Sequence, residues 1–353
     1  MQEENDVSGD FLEEGDLFEH YRFVADKGQQ PLRIDKFLLD RIANTSRNKL
    51  QLAAKSGYIH VNSEAVKQNY RVKAGDVVTV ELPHPVREFE LIPEAIPLNV
   101  VFEDQHVVVL NKPSGLVVHP GHGNYTGTLV NGLLHHFGEQ SRAVGMEEAR
   151  PGLVHRIDKL TTGLMVIAKT EPGMTHLSNQ FFERTVERRY NALVWGDVTE
   201  DGTVTGHIGR SLKNRKLMEV FADGAHGKHA VTHYRVLKRY GYLTMVECKL
   251  ETGRTHQIRV HMKHIGHPLF GDPEYGGDRV LKGPSFSRYR QFVENCFGIL
   301  PRQALHARTL GFEHPNKGAW MQFDSDLPDD MVAVMERWDR YLNAGPSTSE
   351  QGE

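Results

Sequence analysis

The chain has 353 residues, 39% of them apolar and 25% charged, which is enough for about two or three domains with a sizeable core. No apolar run approaches the ~18 residues of a membrane span. The formal net charge is −4, but residues 1–20 hold eight acids and no Lys or Arg, so the remainder is near +4, and charge does not exclude a nucleic-acid partner.

The acidic opening "MQEENDVSGDFLEEGDLFEH" does not have the pattern of a signal or transit peptide. Residues 1–18 lack apolar periodicity and are expected to form a disordered acidic tail. Cys248 and Cys296 are the only cysteines. They fit no metal spacing and suit a reducing cytoplasm better than a disulfide scaffold.

"EHYRFVAD" reads as a short strand. Ile34, Phe37, Leu38 and Ile42 then mark a helical stripe. Ser46 is a natural N-cap for a second helix that stops at Gly57. "YIHVN" and "DVVTVEL" read as strands. Residues 19–82 are thus a small α+β unit. Its stretch 31–80 carries nine bases and four acids, with Arg33, Lys36, Arg47, Lys49 and Lys55 on or beside the two helices.

"PHPVREFELIPEAIPLN", residues 83–99, is punctuated by proline and reads as a linker. Residues 100–341 read as one large domain rich in antiparallel strands. In order, "HVVVLNKP" is a strand, Ser114-Gly115 a turn and "LVVH" a strand. "TLVNGLLHHF" has helical spacing. An apolar strand "GLMVIAKT" follows Asp158, which is flanked by Arg156 and Lys159. "RRYNALVWG", "HAVTHYRVL" and "LTMVECKLE" read as further strands. In "THQIRVH" an extended chain would place Thr255, Gln257 and Arg259 on one face. Residues 342–353 are expected to be a disordered tail.

The chain lacks "GxSxG", "GxxxxGK[ST]" and "GxGxxG", so serine hydrolase, phosphate-loop and dinucleotide chemistry lose ground. His119, His122, His135 and His136 are the best histidine cluster, without a zinc-type helix motif or paired cysteines. Three polar clusters remain, around Asp158, around Arg189 and Tyr190, and around Arg254 to His261. A carboxylate beside an arginine keeps its charge at neutral pH. That suits a nucleophile or an electrostatic stabiliser, but spacing alone favours a buried ion pair that only orients the strands.

"RIDKFL", "SRNKLQ", "GYIHVN" and "VKAGDVVTV" resemble the S4 RNA-binding domain. "RPGLVHRIDKLTTGL", "ERRYNALVWG" and "ETGRTHQIRVHMKHIGHPLFGD", in that order, resemble the three motifs of the RluA family of pseudouridine synthases. "LNKPSGLVVHPG" and "RQALHARTLGFEHP" are similar to its flanking segments. The resemblance spans about residues 32–340. It implies an α+β pseudouridine synthase fold with a mixed, largely antiparallel central sheet behind the S4-like unit.

It also implies isomerisation of uridine to pseudouridine in RNA, with the base flipped out of its stack. By resemblance Asp158 is the catalytic carboxylate, Tyr190 lies against the flipped base and Arg259 pairs with Asp158. Arg156, Lys159 and Arg254 then join the basic residues of the S4-like unit as RNA contacts. The family uses no organic cofactor and no metal. The expected partner is RNA, large-subunit ribosomal RNA by subgroup similarity, with no membrane and no nucleotide cofactor, and the expected state is a cytoplasmic monomer.

Two positions depart from the family pattern. Ile157 replaces a nearly isosteric leucine, and Leu160 stands where Asp or Asn is usual. A non-catalytic RNA-binding ribosome assembly factor with the same fold is the competing reading. Intact Asp158, Tyr190 and Arg259 speak against it.

Overall fold

The computed structural model describes residues 18–42, 45–82, 91–121, 124–138, 152–214, 217–224 and 226–343. Most of both expected terminal tails, and His122, lie outside them. The chain divides into two compact units, Met1–Glu90 and Leu91–Glu353.

The first unit runs β1 (Phe18–Val24), β2 (Leu32–Arg33), α1 (Ile34–Leu39), α2 (Arg47–Lys55), β3 (Ile59–Val61), β4 (Glu64–Ala65), β5 (Arg71–Val72) and β6 (Val77–Leu82). Four strands form a sheet in the order β1-β6-β3-β4, and β2 pairs with β5. Ser46 caps α2 as its position predicts, its hydroxyl accepting the Lys49 N–H at 3.3 Å. Gly57 takes φ +78° just past the helix, where a side chain would be strained. Ile34, Phe37, Leu38, Leu50, Ile59 and Val78 form the core, each contributing roughly 1.5–3 kcal/mol by burial. Asp35 is buried among them. It accepts hydrogen bonds from Arg33 Nε (3.1 Å), Arg47 Nε (2.9 Å) and Gln51 Nε2 (2.7 Å).

The second unit contains β7 (Val100–Glu103), β8 (Val107–Lys112), α3 (Leu129–Phe137), β9 (Thr162–Ala168), α4 (Glu171–Glu183), β10 (Glu187–Trp195), β11 (Gly202–Arg210), β12 (Met218–Phe221), β13 (Lys228–Arg239), β14 (Leu243–Leu250), α5 (Gln257–His264), α6 (Ser287–Ile299), β15 (Leu305–Glu313), β16 (Trp320–Asp324) and α7 (Asp329–Asn343). Its strands lie in one sheet, β12-β11-β13-β14-β10-β15-β9-β8-β7, with β16 also on β15. All pairs are antiparallel except β9 with β15. Along β10 the side chains alternate. Tyr190, Ala192 and Val194 pack with Leu133 of α3 and Ile258 and Met262 of α5. Leu193 and Trp195 pack on the opposite face with Val293 of α6 and Trp338 of α7.

Two sequence expectations are corrected. "LVVH" is not a strand: the Val117 and Val118 carbonyls accept the Leu129 and Val130 amides at the start of α3 (2.8 and 3.1 Å). Those carbonyls therefore satisfy a helix end rather than a ladder. "THQIRVH" is not extended, because from Gln257 onward it is α5. Ile258, Met262 and Ile265 share one packed face, the helical spacing that a seven-residue window conceals. Gln257 can be buried there because its amide is fully used. Its Oε1 accepts from Thr252 Oγ1 and the Arg254 N–H, and its Nε2 donates to Val231 O and Thr232 Oγ1.

The proline-rich stretch after residue 91 is anchored to α3. Asn131 Nδ2 donates to Ile92 O at 2.8 Å, and the Glu94 N–H donates to Asn131 O at 3.0 Å. Among the described residues no helix is long and apolar enough to cross a membrane.

Candidate active site

Asp158 stands in the loop that enters β9, and the loop's carbonyls are clamped from two sides. Lys112 Nζ and the Gly115 N–H both donate to Lys159 O (3.0 and 2.9 Å). Arg302 Nη1 donates to Leu160 O at 3.2 Å. Lys112 is fully buried, with Pro113 O and Leu116 O completing its three acceptors. Burial pushes its ammonium down to about 7, although the Asp158 charge pulls the other way. Behind the loop, Gly163 has φ +117°, and a Cβ there would lie 2.3 Å from Ala307 O. The threonine-glycine pair of the motif, Thr162-Gly163, is thus not a turn but the start of β9, and the missing Cβ lets that strand close against β15.

The side chain of Asp158 faces a cleft of about 500 Å³, a size ordinary for a small-molecule or nucleotide site. Tyr190 and Arg259 line the same cleft, as do Arg156 and Arg254. Arg259 Nη1 donates to Asp158 Oδ2 at 3.1 Å. Its other nitrogens serve acids that sequence reasoning did not single out. Nε and Nη2 form a fork on Asp272 (2.7 and 2.8 Å), and Nη2 also donates to Glu274 at 2.5 Å. Burial opposes the Arg259 charge, but Asp272 and then Asp158 outweigh it and hold the pKa above its ordinary value. Asp272 is fully buried, whereas Asp158 is 20% exposed.

Tyr190 is buried on β10. Burial raises its phenol above the ordinary range, so it is protonated at neutral pH. Two residues further back on the same face is Arg188, over the Phe181 ring at 5.3 Å. Strand alternation from Tyr190 was a signal that could have found it. Arg189 turns the other way and pairs with Glu247 at 2.9 Å. His155 stacks on Phe181 at 4.6 Å and accepts the Val166 N–H at 3.0 Å. Burial lowers it to about 3, so it is neutral.

At the rim, Phe182 is 87% exposed beside Arg184. Arg156, Arg184, Arg188 and Arg254 line this cleft, and among the described residues none is in an ion pair with a carboxylate. The acids of the cleft are Asp158 and Glu251, and Glu251 is engaged by His233 at 2.6 Å. Lys159 is exposed and donates to Asn124 at 3.1 Å. The basic residues assigned to the S4-like unit divide into two sets. Arg33 and Arg47 hold Asp35, while Lys36, Lys49 and Lys55 are exposed.

A family model described as RNA pseudouridylate synthase matches residues 106–264, and an S4 domain model matches residues 32–78. A Chlorobaculum parvum protein named an uncharacterized RNA pseudouridine synthase is 45% identical over 91% of this chain and 98% of its own. A Zymomonas mobilis protein named ribosomal large subunit pseudouridine synthase D is 43% identical over 86% of this chain and 93% of its own. Among solved structures, human RNA pseudouridylate synthase domain containing 4 is 25% identical, with a TM-score of 0.50 over 68% of this chain and 93% of that one.

Proposed function

The chain belongs to the RNA pseudouridine synthase family, and from that premise we propose that it isomerises uridines of large-subunit ribosomal RNA at the cleft around Asp158. The target RNA follows the names of relatives such as the Zymomonas mobilis protein. The observation that carries the assignment is the charge pattern of the cleft. Asp158 is open to it and held on one oxygen by Arg259, the other acid, Glu251, is engaged by His233, and among the described residues the four arginines around them have no acidic partners. Such a surface suits an anionic polymer with one reacting unit inside.

The reaction breaks the N1–C1′ bond, turns the uracil and joins C5 to C1′, with the C5 proton lost and N1 protonated. Asp158 is the carboxylate that enters this sequence, held on one oxygen by Arg259. Tyr190 packs against the turned base. As a neutral phenol it can take up the proton from C5 only if its own goes to the uracil N1, an exchange that leaves it unchanged. Arg156, Arg188 and Arg254 hold phosphates, Phe182 offers a face for stacking, and the S4-like unit adds Lys36, Lys49 and Lys55 to the RNA contact.

Replacing Asp158 by Asn keeps the volume and removes the charge. Tritium release from C5-labelled uridine in ribosomal RNA should vanish while RNA binding persists. Turnover by the purified variant would remove Asp158 from the reaction. Absence of release by the wild-type chain on every large-subunit RNA fragment would favour a binding role in ribosome assembly.

A further inference from the structure

We propose that His256 is a second positioning residue for Asp158, its Nε2–H donating to the carboxylate oxygen that Arg259 leaves free. This rests on the reading of Asp158 as the reacting carboxylate. His256 lies at the mouth of α5 in a left-handed conformation, φ +56° and ψ +22°. Non-glycine residues seldom hold that geometry, and it clusters where a side chain must be aimed. Its ring lines the cleft, with Nε2 3.8 Å from Asp158 Oδ1. Arg259 occupies Oδ2. The separation exceeds a hydrogen bond, and such catalytic contacts tighten when substrate is bound.

The proton on the ring is placed by its neighbours. Tyr275 Oη accepts the Met218 N–H at 3.1 Å and lies 2.8 Å from His256 Nδ1. Burial pushes the Tyr275 phenol up to about 12, so it carries a proton that it can donate to Nδ1. Burial also lowers the His256 pKa, against the pull of Asp158, and Arg259 adds to the lowering while Glu274 and Asp272 oppose it. With Nδ1 accepting from Tyr275, the neutral ring has its single N–H on Nε2, facing Asp158. Glu274 Oε2 is 3.8 Å from Nδ1, so the opposite tautomer would face it. Two donors on two oxygens fix the plane of the carboxylate, which Arg259 alone leaves free to turn about its one contact.

The test combines a direct reading of the proton with kinetics. In the full chain with ¹⁵N-labelled histidine at neutral pH, the signal lost in His256→Gln identifies the residue. The expected pattern is the Nε2–H tautomer, and an Nδ1–H ring or an imidazolium would overturn the proposal. In single turnover with excess enzyme, His256→Leu should slow pseudouridine formation roughly 10- to 100-fold, the loss of about one charge-assisted hydrogen bond, with RNA affinity unchanged. His256→Gln keeps an N–H near the Nε2 position and should recover most of the rate. Equal rates for Leu and Gln variants of matched thermal stability would overturn the role. A reactive Asp158→Asn enzyme would instead undo the underlying assignment while leaving the tautomer reading intact.

Discussion

Each unit of the molecule has a buried charge that gathers several opposite or polar partners, Asp35 in one and Arg259 in the other, and the two are mirror images. In the S4 unit the centre is an acid. Asp35 gathers Arg33, Arg47 and Gln51, and its two arginines are about 40% exposed. Burial alone would raise its carboxyl, yet the Arg33, Gln51 and Arg47 hydrogen bonds hold it well below the usual range. In the catalytic unit the centre is a base. Arg259 gathers Asp158, Asp272 and Glu274. The first hub is closed: every oxygen of Asp35 is spent on structure, and it sits at 1% exposure. The second is graded. Asp272 takes the fork and the burial, and Asp158 receives one hydrogen bond while remaining open to the cleft. A structural carboxylate and the one proposed to react thus share the same arginine. What separates them is how many donors each receives and how much water reaches it.

Removing the centre of the graded hub should have the largest effect. Arg259→Leu would strand Asp272 without its fork in a site closed to water. An unpaired buried charge costs about 3–5 kcal/mol, readable by denaturant unfolding of the full chain. Adding Asp272→Asn should return part of that loss, because the stranded charge is gone, but it should return no turnover. A loss below about 1 kcal/mol for Arg259→Leu would mean that the fork is not structural.

The acid-centred hub should respond less. Asp35→Asn removes charge-assisted hydrogen bonds but releases two arginines already half in water, so a loss of about 2 kcal/mol is expected. Hydrogen exchange of the β6 amides in the full chain would report it. The folded carboxyl has a depressed pKa, so its contribution is complete above the unfolded value of about 3.9 and fades as pH falls through the folded one. The gap between wild type and Asp35→Asn should therefore be constant near neutrality and narrow below about pH 4. A gap that widened in acid would contradict the depressed pKa.

The difference between the hubs also explains what could be read in the sequence. Ser46, Gly57 and the helical stripe from Ile34 were legible because caps and periodicity are local. Asp158, Tyr190 and Arg259 were picked out through the resemblance, and the structure places them on one cleft. Arg188 is legible from alternation with Tyr190. Asp272 was not available. "GDPEYGG" reads as a glycine-rich turn, and the role of its first acid depends on α5 turning Arg259 toward it. That turn was hidden by reading "THQIRVH" as extended. His256 was hidden for the same reason, since its aim depends on a left-handed backbone no spacing rule reveals.

The smallest expected effect separates the two sets of bases in the S4 unit. Lys36, Lys49 and Lys55 are exposed, and among the described residues no ion pair uses them, whereas Arg33 and Arg47 are committed to Asp35. If the lysines meet phosphate, each Lys→Gln change should lower the salt dependence of RNA binding by about 0.7–0.9 in logarithmic slope. The triple variant should then lose about two slope units if most of the three are engaged, with unfolding free energy unchanged, because exposed lysines without partners add little to stability. Arg33→Gln and Arg47→Gln should show the reverse ranking, with a weaker N-terminal unit and a smaller change of slope. Titration of a large-subunit RNA fragment across salt concentrations, paired with denaturant unfolding of the same variants, measures both quantities. A full slope change from the arginines and none from the lysines would mean that RNA displaces Asp35 from its partners. The first hub would then be an exchangeable site like the second, and the contrast between a closed and a graded hub would fail.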